Sequence, residues 1–236
     1  ANKLMTPAAQ VVTVSFEDML ELFPEKKRVY TGTPIRETIL QGDRARAHTA
    51  LNLESNIPTI LIFGGGTGSI FLNKLTISSL PELLNFAQVI HITGSGKNVP
   101  TIALKEKKER YHSFEFVIDE LPTLYAAADL VIARAGIGTL TELAALGKAG
   151  MIIPIPHSQQ QDNVDYFASK RAIIPLNQEK LSAQSFVEEV RSLLDDKEAM
   201  RYLEQQIQKL HNMDALEHVS EIIISYDSEP ATKTID

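Results

Sequence analysis

Seven short apolar runs rich in Val and Ile constrain this chain more than any other feature: "VVTVSF" (11–16), "TILIFG" (59–64), "QVIHIT" (88–93), "FEFVI" (114–118), "DLVIA" (129–133), "MIIPI" (151–155) and "AIIPL" (172–176). Their hydrophobicity is continuous rather than alternating, so each reads as a strand covered on both faces. Helical stretches lie between them, among them "SFEDMLELF" (15–23), "TLTELAALG" (139–147) and "QDNVDYFASKRA" (161–172). Strands alternating with helices require βαβ crossovers, so the expected class is α/β, a doubly wound parallel sheet with helices on both faces. From residue 182 the alternation stops. "SAQSFVEEVRSLLDD", "KEAMRYLEQQIQKLH" and "DALEHVSEIIISY" read there as three successive amphipathic helices, and the last ten residues, "DSEPATKTID", as a disordered tail.

A chain of 236 residues can bury one large core or two small ones. "YTGTPIRETI" (30–39), with Gly32 and Pro34 interrupting regular structure, reads as a linker. Residues 1–30 then belong to a different, incomplete unit, because one strand and one helix cannot bury enough surface alone. The expected division is 1–30, a linker at 31–38, a main domain at 39–215, and a final helix and tail at 216–236.

Composition removes several function classes. The chain has no cysteine, which excludes disulfide frameworks, Cys-ligated zinc, iron–sulfur clusters and a thiol nucleophile, and it fits a reducing cytoplasmic compartment. A formal net charge of −7 argues against nucleic acid as a partner, since backbone binding needs clustered cations. The densest basic run, "KEKKER" (105–110), reads either as a solvated helix face or as a local phosphate patch. No apolar run reaches the ~18–20 residues that cross a bilayer, and "ANKLMTPAAQ" lacks a signal peptide's apolar core. The expectation is a protein that neither spans a membrane nor is exported.

Three strand ends carry candidate chemistry. "FGGGTGS" (63–69) follows a strand and precedes the helical "IFLNKL", where backbone amides and the helix dipole favour an anion. It is neither the dinucleotide fingerprint, because Ser69 stands at its sixth position, nor a Walker loop, so a tight structural turn and a phosphate site both remain open. Gly136 and Gly138 form a second glycine turn after "DLVIA". Thr139 and Glu142 fit a capping box there, or Glu142 faces a crevice and accepts from a ribose diol. In "PHSQQQDN" (156–163) three glutamines offer donors and acceptors suited to sugar hydroxyls, against a polar helix start as the plain alternative.

Taken together, "VVTVSFEDMLELFP", "TGTPIR", "GGGTGSIFLN", "DELPTLYAAADLVIARAGIGTLTELAALGKAGMIIPIPHSQQQDN" and "YFA" stand in the order and near the spacing of the peptidoglycan lipid-intermediate N-acetylglucosaminyltransferases. The chain resembles that family over roughly residues 2 to 225, and only its C-terminal part. The resemblance implies two Rossmann-like domains facing across a cleft, the GT-B arrangement, with this chain supplying the C-terminal one. It implies transfer of N-acetylglucosamine from UDP-N-acetylglucosamine to the muramyl-pentapeptide pyrophosphoryl-undecaprenol, a lipid-linked acceptor. The full-length protein is then peripheral on the cytoplasmic face of the plasma membrane. The N-terminal acceptor domain, with the catalytic base, has no counterpart here, so no catalytic residue is expected in this chain. Its exposed interdomain surface offers a route to a homodimer.

The same resemblance assigns site residues. Arg36 approaches the donor diphosphate; Gly64, Gly65, Thr67, Gly68 and Ser69 form the loop beside diphosphate and sugar; Gly66 replaces a frequent serine. The backbone of Ile118 reads uracil, and Val117 stands where some relatives carry Phe. Gly138, Thr139 and Glu142 lie along the nucleotide, with Glu142 on the ribose. Gln159, Gln160 and Asn163 contact the sugar, in a register that Gln161 leaves open by one or two positions, and His157 is a turn residue rather than a base. No cofactor and no metal are expected, because no Asp-x-Asp motif is present and Arg36 with two helix N-termini can carry the electrostatics. Rival readings are the donor subunit of a split glycosyltransferase with another lipid-linked acceptor, a nonhydrolysing sugar-nucleotide epimerase, a dinucleotide oxidoreductase and a non-catalytic partner protein.

Overall fold

The computed structural model describes residues 2–97 and 108–227. Residues 228–236 of the expected tail and 105–107, half of the basic run "KEKKER", lie outside the described residues; Lys108–Arg110, the other half, form a 3-10 turn, and Asp227 ends the last helix. The chain divides into two compact units, one formed by 1–36 with 211–236 and the other by 37–210. The last helix, Ala215–Asp227, thus groups with the first residues of the chain and not with the large domain that precedes it.

The smaller unit begins with a single turn, α1 (Asn2–Met5), and pairs β1 (Val12–Val14) in parallel with β2 (Arg28–Tyr30). β2 is absent from the sequence reading because "RVY" is three residues long and too short for a periodic signal. Between the strands, 15–23 forms no α-helix but a 3-10 helix, Glu17–Leu22, flanked by extended Phe16 and Phe23. Phe16 has no side-chain acceptor to offer as a cap, and 3-10 geometry suits such short uncapped runs. Lys27 crosses the unit to donate to the carbonyls of Thr6, Pro7 and Ala9. Asn212 donates to Thr31 O at 3.0 Å, beside the Gly32 turn.

The larger unit is a six-stranded parallel sheet in the order β5-β4-β3-β6-β7-β8. Its elements run α2 (Arg44–Leu51), β3 (Thr59–Phe63), α3 (Ile70–Leu83), β4 (Gln88–Ile92), β5 (Tyr111–Phe114), α4 (Leu121–Ala127), β6 (Leu130–Ala133), α5 (Ile137–Leu146), β7 (Gly150–Ile152), α6 (Gln160–Ser169), β8 (Ile174–Pro175), α7 (Ala183–Asp195) and α8 (Lys197–Gln208). Every residue of β3, β4, β6 and β7 is buried, as continuous apolar runs require. Ile60, Ile62, Val89, Leu130 and Ile132 pack into one core with Leu72 and Leu80 of α3 and Phe186 and Val190 of α7. Phe63 meets Tyr125 of α4 edge to face, with ring centroids 5.8 Å apart. The three final helices form as expected, α7 entering through a Ser182–Ser185 capping box and becoming the main cover over α3.

One strand lies earlier than expected. β5 occupies 111–114, and residues 115–118 leave the sheet with Phe116 and Ile118 exposed. β4 ends at Ile92 and the chain turns at Gly94 (φ 92°), whose amide donates to Glu115 O, so no strand continues beside 116–118. The true strand, "YHSF", is a half-buried edge whose polar residues hide it from a search for apolar runs.

β4 also carries a buried polar network. His91 sits between Asn73 Oδ1 (3.1 Å from Nε2) and the Tyr111 hydroxyl (3.0 Å from Nδ1). Asn73 donates its NH2 to Thr93 O and Lys97 O, so its Oδ1 accepts from His91 Nε2–H, and Nδ1 then accepts from Tyr111. Both ring nitrogens are thus satisfied in the neutral form. Burial pushes His91 down from its ordinary value near 6.5 to about 4, and pushes Tyr111 up to about 12.

Between pH 6.5 and 4 the unfolded chain binds a proton that folded His91 refuses, so stability rises with pH across that window and is lost as acid is added. The loss attributable to His91 approaches about 3 kcal/mol at the acid end. Urea denaturation of His91→Gln at pH 7, 5.5 and 4.5 is expected to show a shallower loss of stability than the native chain; an unchanged slope contradicts the assignment.

Candidate functional site

Strands β3, β4 and β5 are laid out to one side and β6, β7 and β8 to the other, so the order reverses between β3 and β6. In such a sheet the crevice beyond the carboxyl ends at the reversal is where ligands bind. The two glycine turns fall there. Residues 64–69 leave β3 and enter α3, and residues 134–136 leave β6 and enter α5.

Ser69 caps α3, its Oγ accepting from Leu72 N at 3.3 Å. Gly68 has φ 70°, and a Cβ there would come within 2.2 Å of Thr93 O. Gly66 and Gly138 have no atom within 4 Å of such a Cβ and face open space. The loop's turn is thus built by Gly68 against the end of β4, whereas Gly66 leaves room.

The capping box expected at Thr139 and Glu142 does not form. α5 starts at Ile137 after Gly136, which supplies no side-chain acceptor, so Thr139 is already inside the first turn. Glu142 points elsewhere, its Oε2 accepting from the Tyr125 hydroxyl at 2.9 Å. An extended glycine can take the N-cap position without the side-chain acceptor that Ser, Thr or Asp brings, so the amides opening α5 face no capping oxygen. Neither α3 nor α5 has an acidic residue in its first turn, so both dipoles present their positive ends unneutralised.

A cleft of about 620 Å³ lies between these turns. Of the expected residues, Gly64, Gly65, Thr67, Gly68, Ser69, Gly138, Thr139 and Gln160 line it. Ile118, Glu142, Gln159 and Asn163 do not, and Arg36 belongs to the smaller unit. Gln160 Oε1 accepts from Ile155 N at 3.1 Å, which leaves its NH2 as the polar end facing a ligand. Gln159 is exposed, Gln161 binds Asp165 along α6, and Asn163 donates to Ala135 O at 2.9 Å, tying α6 to the end of β6. His157 occupies a left-handed turn (φ 56°) on the surface, in keeping with a turn residue.

Three polar lining residues carry no expectation from the sequence: Lys97, Arg134 and Gln178. Lys97 Nζ donates to Thr67 O (2.6 Å) and Gly68 O (3.1 Å), placing an ammonium against the glycine loop. Arg134 is 6% exposed. Its Nε donates to Ser69 Oγ (3.2 Å), its Nη1 to Ile153 O and Pro154 O, and its Nη2 to Gln178 Oε1 (2.7 Å), while the Phe71 ring lies 5.5 Å from Cζ. Burial lowers the guanidinium's proton affinity, but these acceptors hold it charged. A charged residue directly after the apolar "DLVIA" is the signal that marks Arg134; Gln178 carries none. Among the described residues no three His, Asp or Glu side chains are grouped to hold a metal ion.

Gly68→Ala is expected to destabilise the chain by several kcal/mol, or to prevent folding, through strain at positive φ and collision with Thr93 O. Gly66→Ser is expected to shift the melting temperature by no more than about 2 °C, as an open surface site allows. Equal melting temperatures for the two variants contradict this account of the loop.

Residues 59–225 match the model of the glycosyltransferase family 28 C-terminal domain. Curated relatives include the UDP-N-acetylglucosamine--N-acetylmuramyl-(pentapeptide) pyrophosphoryl-undecaprenol N-acetylglucosamine transferase of Lachnoclostridium phytofermentans, 34% identical over 203 residues, or 84% of this chain and 56% of the relative. The corresponding transferase of Clostridium tetani is 35% identical over 202 residues, with the same coverage of 84% and 56%. Transferase 2 of Bacillus anthracis is 32% identical over 229 residues, 94% of this chain and 63% of the relative. This chain therefore spans a little over half the length of the relatives it matches. Among solved structures, MurG of Acinetobacter baumannii superposes with a TM-score of 0.73 at 23% identity, over 95% of this chain and 62% of that one. At that identity the likeness speaks for the fold, a parallel sheet wrapped by helices as in the C-terminal domain of a GT-B glycosyltransferase. The chain belongs to the glycosyltransferase family 28 C-terminal domain family.

Proposed function

We propose that this chain is the donor-binding half of an inverting glycosyltransferase that uses UDP-N-acetylglucosamine. The reading rests on one observation above all: the N-termini of α3 and α5, the Lys97 ammonium and an open glycine surface converge on one cleft. That cleft has the electrostatics and the room to take a diphosphate. Gln160, at the start of α6, offers its NH2 to a sugar hydroxyl. Glu142, one helical turn beyond Thr139, is assigned the ribose hydroxyls, and Ile118 and Arg36 the uracil and the diphosphate, on the strength of the family resemblance.

In the proposed reaction an acceptor hydroxyl attacks the anomeric carbon as the bond to UDP breaks, and its proton passes to a base that this chain does not supply. Negative charge grows on the departing diphosphate, where the two helix starts and Lys97 stabilise it. The electrostatics of these groups stand in for a cation, so the donor site works without a metal. The acceptor we infer is the undecaprenyl-pyrophosphoryl-muramyl-pentapeptide of peptidoglycan synthesis, the substrate named in the relatives' descriptions. The partner is an N-terminal acceptor domain, and the complete enzyme works on the cytoplasmic membrane face. No helix among the described residues is long and apolar enough to cross a membrane.

Calorimetry on this chain is expected to show UDP and UDP-N-acetylglucosamine binding that EDTA leaves unchanged. Gln160→Ala is expected to weaken the sugar nucleotide about tenfold, roughly 1.4 kcal/mol, and UDP much less. Glu142→Ala and Arg36→Ala are expected to weaken both. Absence of nucleotide binding, or robust sugar transfer by this chain alone, would overturn the reading.

A further inference from the structure

A second cavity, of about 430 Å³, opens beside the cleft. Pro156 and Gln178 line both spaces and stand at their junction. The walls of the second cavity are largely apolar, with Pro154, Val164, Pro175 and Leu176 among them.

Gln178 is held on two sides. It is the first residue of a 3-10 turn, Gln178–Lys180, that Asn177 caps by accepting from Glu179 N at 2.8 Å, and its head group meets Arg134. A guanidinium has no acceptor, so the Gln178 atom facing Arg134 at 2.7 Å is the carbonyl oxygen. The NH2 is therefore the free end, a donor only. Arg134 is itself buried and braced by Ile153 O, Pro154 O and Ser69 Oγ, so this polarity is built into the wall and does not follow a passing ligand.

We infer that Gln178 selects a 2-acetamido sugar: its NH2 donates to the acetamido carbonyl while the methyl group enters the apolar side cavity. This rests on the donor-site reading above and deepens it. An acetamido group carries the two features the junction offers to bind, one carbonyl acceptor and one small apolar end. A 2-hydroxyl has no methyl to bury and leaves the cavity empty. Arg134 acts through Gln178 and is a positioning residue.

Saturation-transfer difference NMR on the whole chain with UDP-N-acetylglucosamine, and separately with UDP-glucose, reads both the base and the acetamido methyl. In the native chain the methyl signal is expected to rival the uracil signals. Gln178→Glu keeps an oxygen on Arg134 but replaces the donor with a second acceptor. It is expected to reduce the methyl signal at least several-fold and weaken UDP-N-acetylglucosamine about tenfold, while uracil signals and UDP-glucose affinity stay within twofold. Gln178→Leu is expected to act in the same direction, and persistent uracil signals report that either variant is folded. A weak methyl signal in the native chain, or equal losses for both sugar nucleotides, overturns the inference and leaves the donor site standing. Absence of uracil signals in the native chain overturns the donor-site reading, and this inference with it.

Discussion

The guanidinium of Arg134 is the contact on which the rest of the cleft depends. It lies where the end of β6 meets the loop after β3, the carbonyls after β7 and the turn after β8, and it donates to all three neighbours. A buried charge is tolerated only where acceptors replace water, and here two main-chain carbonyls, a hydroxyl, an amide oxygen and the Phe71 ring do so. The consequence is directional. Because arginine only donates, Ser69 Oγ accepts from it and keeps its own proton to give, and Gln178 turns its NH2 outward. Lys97 adds a charge of the same sign at the glycine loop. A wall of donors and positive dipole ends is suited to a ligand made of acceptors, such as a diphosphate carrying a sugar.

The same network reaches into the sheet. Asn73, in the first turn of α3, links His91 of β4 to the carbonyls of Thr93 and Lys97. The strand that holds His91 therefore also holds the backbone that carries Lys97. Stability and site geometry share residues here, and neither the histidine nor the asparagine touches the cleft. A glycine-rich loop keeps its shape because rigid neighbours over-determine it: Gly68 pressed against Thr93, Ser69 against Arg134, and the loop's own carbonyls against Lys97.

Strands buried on both faces are legible in sequence because burial forces continuous apolar runs: β3, β4 and β6 lie within "TILIFG", "QVIHIT" and "DLVIA", while β7 covers Gly150–Ile152 and so only the start of the run "MIIPI" at 151–155. Edge strands escape that signal. "YHSF" holds two adjacent polar residues between its aromatics and "RVY" is too short, so apolar runs put β5 too late and give no sign of β2. Thr139 and Glu142 satisfy the capping pattern by spacing, yet α5 starts at Ile137, because extended Gly136 takes the N-cap position without any side chain. Glycine loops are visible because their composition is unusual. Gln178 is invisible, since its role comes from an arginine 44 positions away that fixes its amide. Family resemblance reached Gln160 and the glycines but left open which glutamine faces the cleft; the backbone amide of Ile155 selects Gln160 by engaging its carbonyl.

The proposed site puts a nucleotide diphosphate at the two helix starts on the reversal point of the sheet. Amide hydrogen exchange with and without saturating UDP, in the presence of EDTA, tests it most directly. The account predicts slower exchange at residues 65–71 and 136–140 and little change elsewhere in the sheet. Unchanged exchange at both segments contradicts it. So does protection confined to the cavity around Arg44, Lys197 and Arg201, which lies at the opposite ends of β3 and β6.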